Sequence, residues 1–240
     1  MRGAFTLLLA LLPASAKWLK APPPVPEVEL LRYLGRWYQP YADLASDTFE
    51  SKYCVVADYG VFANGTISVR NRDRLQNVTG AQNGILGWGG LNRTGLGTAS
   101  GSLTVNLQIP ASRGPPFPAP YDIIMLGPKT SGDLGLYGEF SRALSTSSLF
   151  LSLSLTPSFP CLPSSPSTEY SVVSDPLELT LFVLARNYST FFEKYNATVI
   201  DFLQENGYVT FLNTPLPTEW KGCAEYSVTD LWSCAVHDVQ

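Results

Sequence analysis

The feature of this sequence that most constrains its fold is a succession of short segments with β-strand character. Residues 102–109 show it most clearly, because Leu103, Val105 and Leu107 alternate with polar residues. Alternation with a period of two is typical of a strand with one buried face. The other predicted strands are residues 35–44, 53–62, 66–70, a frayed segment within 79–88, 121–126, 169–174 and 180–185. Residues 115–120, rich in proline, are predicted to be a break before the sixth strand.

One helix is predicted, at residues 189–206, where aromatic and aliphatic side chains recur at helical spacing and Asn206-Gly207 ends the pattern. A last short strand is predicted at 208–212. About eight strands followed by one helix indicate an all-β fold, an eight-stranded antiparallel up-and-down barrel with one C-terminal α-helix packed outside. Such closure leaves no edge strand exposed. A β-sandwich is the alternative, although it rarely places its only long helix after the eighth strand.

Composition supports a globular chain. Of the 240 residues, 45% are hydrophobic and 15% are charged, which is enough apolar material for a core and argues against global disorder. The net charge of −4 gives no electrostatic reason to expect a nucleic-acid partner. A single histidine, His237, makes a zinc site improbable, and no cofactor or metal is predicted.

The first 16 residues are typical of a signal peptide. Arg2 supplies the positive charge, residues 4–12 are apolar, and Ala14-Ser15-Ala16 forms a small-residue cleavage site. A Pro-rich extended arm is predicted for residues 17–26. No later segment has the length and apolarity of a membrane span, so we expect a protein that is secreted or lies in the lumen of the secretory pathway, without stable membrane insertion.

Cysteines and glycosylation sequons agree with that route. The spacing of the four cysteines includes no Cys-x-x-Cys pair, and in a secreted chain they predict disulfides. They are Cys54, Cys161, Cys223 and Cys234. Asn-x-Ser/Thr sequons predict a glycoprotein. They lie at Asn64, Asn77, Asn92, Asn187 and Asn196.

Several short motifs of this sequence fit one known family. Gly35-Arg36-Trp37, and residues 53–59 followed by an Asn64-Gly65 turn, resemble the first motif and the second strand of the lipocalin family, in particular of its apolipoprotein D-like and bacterial members. Residues 170–176 and 181–186, which end in Leu-Ala-Arg, resemble its last two barrel strands and its third motif. The resemblance covers residues 28–128 and 169–223, within a predicted barrel domain at 27–223 and before a tail at 224–240. The family's second motif is not matched, because Leu-Gly-Pro stands at 126–128.

The resemblance implies roles for particular residues. Gly35, Trp37 and Arg186 would close the barrel floor, with the guanidinium stacked over the indole. Strand alternation under the same resemblance predicts a set of inward-facing residues that bind the ligand, although alternation alone is equally compatible with a solid core. The predicted set is Val55, Ala57, Tyr59, Ile67, Val69, Tyr121, Ile123, Met125 and Val173. No catalytic residue is predicted, because no hydrolase, metalloprotease or phosphate-loop motif is present.

A disulfide between Cys54 and Cys223 is also implied, because the family folds its C-terminal segment back across the barrel wall. The pairing of Cys161 and Cys234 stays open. They form a second bond if both belong to the mature protein, and otherwise Cys234 is an odd thiol.

Residues 129–168 form a low-complexity insert where the family has a tight turn. Positions 144–168 contain nine serines, six leucines and four prolines and no charged residue. Three interpretations remain: a disordered, O-glycosylated loop, a loop that touches membranes, or an intron retained in the gene model at residues 141–168.

Three functions follow from these observations. The first is a secreted carrier that binds a fatty acid, sterol, retinoid, carotenoid or tetrapyrrole in the barrel. The second is a lipocalin-type enzyme, an isomerase or de-epoxidase, which needs a free thiol or a carboxylate inside the barrel. The third is a partner-binding module that uses residues 79–101 or the insert. The carrier is preferred, and the oligomeric state is not predicted.

Overall fold

The computed structural model describes residues 21–46, 50–61, 66–89, 98–108, 117–130 and 167–224. Several predictions fall outside these ranges and are not addressed by it. They are the signal peptide at 1–16, the Asn64-Gly65 turn, the sequon at Asn92, residues 131–166 of the insert with Cys161, and the tail beyond 224 with Cys234 and His237.

The described chain forms eleven strands and a short and a long helical segment. The strands are β1 (Val28–Glu29), β2 (Gly35–Ala42), β3 (Val56–Val61), β4 (Ile67–Arg74), β5 (Gln82–Gly89), β6 (Thr98–Ala99), β7 (Ser102–Gln108), β8 (Phe117–Leu126), β9 (Tyr170–Ser174), β10 (Leu181–Ala185) and β11 (Leu216–Pro217). A helical turn, α1 (Leu30–Tyr33), precedes β2. The long segment after β10 comprises α2 (Tyr188–Thr190), a π-helical stretch (Phe191–Tyr195) and α3 (Asn196–Glu205).

Eight of these strands close into one antiparallel barrel, which confirms the predicted fold. Their order is β2-β3-β4-β5-β7-β8-β9-β10, and β10 pairs back onto β2, with Phe182 opposite Ala42 and Val183 opposite Tyr41. β11 pairs with the end of β2, and β1 pairs with β6 as a separate ribbon. Because the last barrel strand bonds to the first, the sandwich alternative is excluded.

Alternation along the strands divides the apolar residues between two cores. Inward-facing residues such as Ala57, Ile123 and Val173 join Trp37 in the barrel interior. The outer faces of β8, β9 and β10 form a second core against the long helical segment, which contributes Phe191, Val199 and Leu203. The Asn187 side chain caps the start of this segment by accepting a hydrogen bond from the Thr190 amide at 2.9 Å. Within the described residues no helix is long and apolar enough to cross a bilayer.

The barrel floor is closed by α1 and the residues around it. Gly35 has a φ of +92°, a left-handed conformation that favours glycine and lets the chain turn from α1 into β2. The Trp37 ring is fully buried, and its Nε1 donates to the Tyr33 carbonyl at 2.8 Å. The Arg186 guanidinium lies 3.6 Å from the centroid of the Trp37 ring and donates to the carbonyls of Arg32 and Arg36, each at 2.8 Å. These contacts tie the chain after β10 to α1 and β2 at the start of the barrel domain.

Burial lowers the pKa of Arg186 in the barrel floor to about 10, which leaves the guanidinium protonated at neutral pH. A buried cation of this kind is tolerated because carbonyl oxygens and an aromatic face replace its water.

The turn between β8 and β9, where the second family motif is unmatched, also lies at the floor. A Cβ on Gly127 would lie 2.4 Å from the Tyr170 ring, so the ring packs there only because residue 127 is glycine. Beyond this point the two strands continue as a hairpin stem, in which Lys129 pairs with Thr168 and the Thr130 amide donates to the Ser167 carbonyl at 2.7 Å. Residues 129–130 and 167–168, predicted as part of the insert, therefore belong to the floor, and the insert leaves and returns at adjacent positions.

The predicted start of the strand at 121–126 is wrong for an identifiable reason. The predicted proline break extended to residue 120, yet β8 already begins at Phe117 and includes Pro118 and Pro120. These residues pair with β7 alone, because the pairing with β9 begins at Asp122, and proline is tolerated where a strand has only one neighbour.

The strand predicted at 208–212 is a turn instead. Asn213 Oδ1 accepts hydrogen bonds from both the amide and the hydroxyl of Thr210, at 3.0 and 2.6 Å. A side chain that bonds to nearby backbone in this way competes with sheet formation. The short strand β11 follows only at Leu216–Pro217.

The predicted disulfide between Cys54 and Cys223 is present, with a Cα–Cα distance of 5.7 Å across a sequence separation of 169 residues. It lies on the outer wall, where Tyr38 and Trp220 pack beside it. Cys54 has a φ of +56° and precedes β3, so the second barrel strand begins three residues later than predicted. Cys54 is therefore not available as a free thiol.

Candidate ligand cavity

A cavity of about 390 Å³ lies inside the barrel, between the floor and the turn from β9 to β10. Its wall is mostly apolar and comes from alternate residues of β3, β4, β7 and β10 and from three successive residues of β8. The apolar wall residues include Val55, Ala57, Val69, Val105, Leu107, Phe182 and Leu184. This volume falls within the range of sites that hold small organic ligands, roughly 300 to 1,000 Å³.

The structure places five of the nine predicted ligand residues on this wall. They are Val55, Ala57, Tyr59, Val69 and Tyr121. Ile67 lines a smaller neighbouring cavity of about 30 Å³, together with Tyr33. Ile123 and Val173 are buried in the interior core but do not line the cavity.

Met125 does not belong to the interior, so the prediction that it shares a face with Tyr121 and Ile123 is wrong. It packs in the outer core beneath the helical segment, as does Ile124. The cause is a β-bulge in β8, where the pairing with β9 advances from Ile123 opposite Val173 to Met125 opposite Val172. An extra residue in one strand reverses the inward and outward alternation beyond it.

A buried carboxyl group, which strand periodicity did not predict, also lines the cavity. Glu50 belongs to the connection between β2 and β3 and is only 5% exposed. The Asn71 side-chain amide donates to Glu50 Oε1. Burial, with a smaller contribution from the nearby charge of Asp73, raises the pKa of Glu50 to about 7. Both protonation states of this carboxyl are therefore populated near neutral pH.

Asn71 offers an unused hydrogen-bond acceptor at the same place. It lies in β4 opposite Ala57, which faces the cavity. Its Oδ1 atom is buried and has no hydrogen-bond partner among the described residues. Gln39 also reaches the wall here. Glu50 and Asn71 thus form a polar corner in a largely apolar wall.

Three tyrosines meet at the bottom of the cavity. The Tyr121 hydroxyl is 2.9 Å from those of both Tyr33 and Tyr59, and the Tyr33 hydroxyl is 2.8 Å from Ser171 Oγ. Burial raises the pKa of Tyr33 to about 12 and that of the other two tyrosines well above the usual value. All three stay neutral, and their hydroxyls satisfy one another, so this cluster closes the cavity above Trp37.

The turn from β9 to β10 forms one side of the cavity mouth. The Asp175 carboxylate organises it by accepting hydrogen bonds from the backbone amides of Leu177, Leu179 and Thr180, at 2.8, 2.9 and 2.6 Å. Leu177 and Leu179 line the cavity although they are 74% and 53% exposed. Two leucines that face both solvent and cavity mark this turn as the entrance.

Of the three predicted glycosylation sites within the described residues, two are exposed. Asn77 and Asn187 are exposed, and Asn196 is half-buried with its Oδ1 accepting from the Tyr41 hydroxyl at 2.9 Å. Use of these sites stays a prediction.

Comparison with known proteins adds a likeness to solved structures. No protein-family model matches the sequence, and no curated protein matches it. Among solved structures, lobster apocrustacyanin A1 is similar with 14% sequence identity over 83% of this chain and 90% of that chain, at a TM-score of 0.39.

Proposed function

We propose that this chain is a secreted lipocalin that carries a small hydrophobic ligand in the barrel cavity. The observation that supports this most directly is the cavity itself, since its wall is apolar and the barrel is not filled by its own side chains. A ligand that hides about 300 Å² of apolar surface there would gain on the order of 7 kcal/mol before the entropic costs of binding. The closed barrel, the floor contact between Arg186 and Trp37, and the helix after β10 agree with the family that the sequence motifs resemble.

Export is part of the proposal. A disulfide that closes the chain over 169 residues persists in oxidising compartments and is rare in the cytosol. Protein collected from the medium of an expressing eukaryotic cell should begin near Lys17 and carry the Cys54–Cys223 bond. Retention in the cytosol with residues 1–16 attached would contradict this part.

The binding test is a titration with a lipophilic fluorophore whose emission rises in an apolar site. Ala57→Phe places a ring in the cavity, and we expect it to weaken binding by at least about tenfold, because the ring displaces ligand volume. The matched control is Leu86→Phe, since Leu86 is exposed on the outer face of the barrel. Val69→Phe serves as a second filling variant if the first does not fold. Equal affinity in the wild type and in folded filling variants would refute the carrier function.

A second candidate function is enzymatic, because Glu50 is a carboxyl inside the barrel, which the isomerase or de-epoxidase hypothesis requires. The disulfide removes Cys54, the thiol that the sequence offered for that hypothesis. Mass analysis of an isomerisable or epoxidised polyene after long incubation with the protein separates the two candidates. Conversion that disappears in Glu50→Gln favours the enzyme, and quantitative recovery of the unchanged polyene favours the carrier.

The partner-binding hypothesis depends on residues 79–101 or on the insert, and residues 90–97 and 131–166 of these lie outside the described ranges. It stays a prediction, to be tested by affinity capture with and without residues 131–166.

A further inference from the structure

We propose that the cavity selects ligands whose polar end is a hydroxyl group and discriminates against ligands of the same skeleton that end in a carboxylate. This inference rests on the proposed carrier function and narrows its ligand class, from all small hydrophobic molecules to apolar alcohols.

The charge of the cavity wall is the first argument. The described residues that line the cavity include two carboxyl groups, on Glu50 and Asp175, and no lysine, arginine or histidine. A carboxylate brought into this space loses its water and finds no opposite charge there, which makes its burial costly. A hydroxyl group carries no charge and avoids this cost.

Arg72, a buried arginine of β4, does not supply an opposite charge to the cavity. Arg72 lies in β4 opposite Val56, whose side chain packs on the outer wall beside the disulfide. Its guanidinium bonds to Asp58 at 2.6 Å, and Asp58 also bonds to Arg36. Arg36 and Arg72 are therefore directed to the outside of the barrel. Arg186 lies in the floor on Trp37, bonded to the carbonyls of Arg32 and Arg36, and does not line the cavity.

The hydrogen-bond acceptors of the polar corner are the second argument. Asn71 Oδ1 is buried without a partner among the described residues, and an unsatisfied buried acceptor is unfavourable. A ligand hydroxyl can donate to it. A ligand carboxylate has only acceptor atoms and would leave it unsatisfied.

Glu50 acts in the same direction. Its Oε1 already accepts from the Asn71 amide nitrogen, which orients the two side chains toward each other. A hydroxyl can donate to the ionised carboxyl or accept from the protonated one, so it fits either state. A carboxylate ligand can pair only with protonated Glu50 and is repelled by the ionised form.

The arrangement also defines how such a ligand would lie. Its hydroxyl would sit at the Glu50–Asn71 corner, and its apolar body would extend between Val105 and Leu107 on one side and Phe182 and Leu184 on the other. A ligand with one polar end and an apolar body matches this division of the wall.

The test compares end groups on a fixed skeleton. Retinol is measured against retinoic acid, and oleyl alcohol against oleic acid, by displacement of the bound fluorophore from the full-length mature protein at pH 8. We expect each alcohol to bind about tenfold more tightly than its acid or better, because the acid leaves a buried acceptor unpaired and lacks a counter-charge.

Variants identify the residues responsible. Glu50→Gln removes the acidic group and offers an amide donor, so the preference for the alcohol should fall by about tenfold. Asn71→Leu removes the unpaired acceptor and should weaken alcohol binding while leaving the acid unchanged. Glu193→Gln makes the same change of charge on an exposed helical position and should leave both affinities unchanged.

The outcomes separate this inference from the proposed function. If the acids bind as tightly as the alcohols or more tightly, the end-group selectivity is overturned while the carrier function stands. If no member of either pair binds, the carrier function fails and the inference fails with it. Unaltered selectivity in folded Glu50→Gln and Asn71→Leu would also overturn the assignment to this corner.

Discussion

Replacing Glu50 by glutamine should change how the stability of the protein depends on pH. Glu50 is almost fully buried beside Asn71, and burial is the main reason for its high pKa. Glutamine has nearly the same shape and keeps an oxygen that can accept from the Asn71 amide. The substitution therefore removes the ionisation while preserving the packing and this hydrogen bond.

The size and sign of the effect follow from the two pKa values. The folded-state pKa of Glu50 is about 7 and the ordinary value is 4.5. Between these values the folded chain binds more protons than the unfolded chain, so the free energy of unfolding falls as the pH rises through this window. The wild type therefore loses about 3 kcal/mol from this group between pH 4 and pH 8, and about 2.5 kcal/mol of that between pH 5 and pH 8.

Urea unfolding of both proteins at pH 5, 6, 7 and 8 measures the effect. Other titrating groups are common to both chains, so we expect the stability of Glu50→Gln relative to the wild type to rise by about 2 to 3 kcal/mol from pH 5 to pH 8. A relative stability that is constant over this range would refute the assignment of a buried carboxyl with a raised pKa. The same measurement on Glu193→Gln, at an exposed site, should show no such rise.

Three further predictions concern the floor, the disulfide and the insert. Arg186→Leu should lower the free energy of unfolding by about 3 kcal/mol or more, because it removes hydrogen bonds in the floor and the cation on Trp37. A loss below about 1 kcal/mol in urea unfolding would contradict this. Replacing Cys54 and Cys223 together by serine should lower it by up to about 5 kcal/mol on the chain-entropy model, and unchanged stability relative to the oxidised protein would contradict it. Replacing residues 131–166 by a short glycine-rich link should preserve the barrel spectrum by circular dichroism and the fluorophore affinity, since the segment leaves and returns at paired positions; loss of either would show that the insert supports the cavity.

The sequence predicted the closed barrel well because the relevant information is local. Alternating apolar residues mark strands such as residues 102–108, and the helix carries its own cap and terminal Asn206-Gly207. The floor contact between Arg186 and Trp37 and the long-range disulfide needed more than periodicity. Both came from the resemblance to a known family. Local patterns cannot pair Trp37 with Arg186, which lies 149 positions later, or Cys54 with Cys223, which lies 169 positions later.

Register errors arose where the backbone departs from regular geometry. The bulge in β8 reverses the alternation between Ile123 and Met125, and no residue type marks its position. The run of prolines before residue 120 was assigned to a break because proline cannot donate a hydrogen bond. Whether that matters depends on how many neighbours the strand has at that level, which is a property of the whole sheet.

The polar corner was missed for two different reasons. Glu50 lies on a connection rather than a strand, and its position inside the barrel depends on how that connection folds back over the mouth. Asn71 lies in a polar run, Arg70 to Arg74, where the predicted strand was ended because its apolar alternation stops. The strand in fact continues to Arg74, with Asn71 directed inward and Arg72 outward.

That continuation bears on whether the barrel interior is a solid core or a binding site, which alternation alone left undecided. A core packed from β-branched and aromatic residues has no reason to direct an asparagine and a glutamate inward, because each buried polar group must find a partner. Here Asn71 donates to Glu50, yet its own oxygen has no partner among the described residues, and open volume lies beside both side chains. An interior that keeps an unsatisfied acceptor next to such a space is more simply explained by a ligand that completes it than by packing. Asn71→Leu should therefore weaken the binding of an apolar alcohol in a protein that still folds. Unchanged affinity in the folded variant would show that Asn71 serves the fold instead, through its hydrogen bond to Glu50.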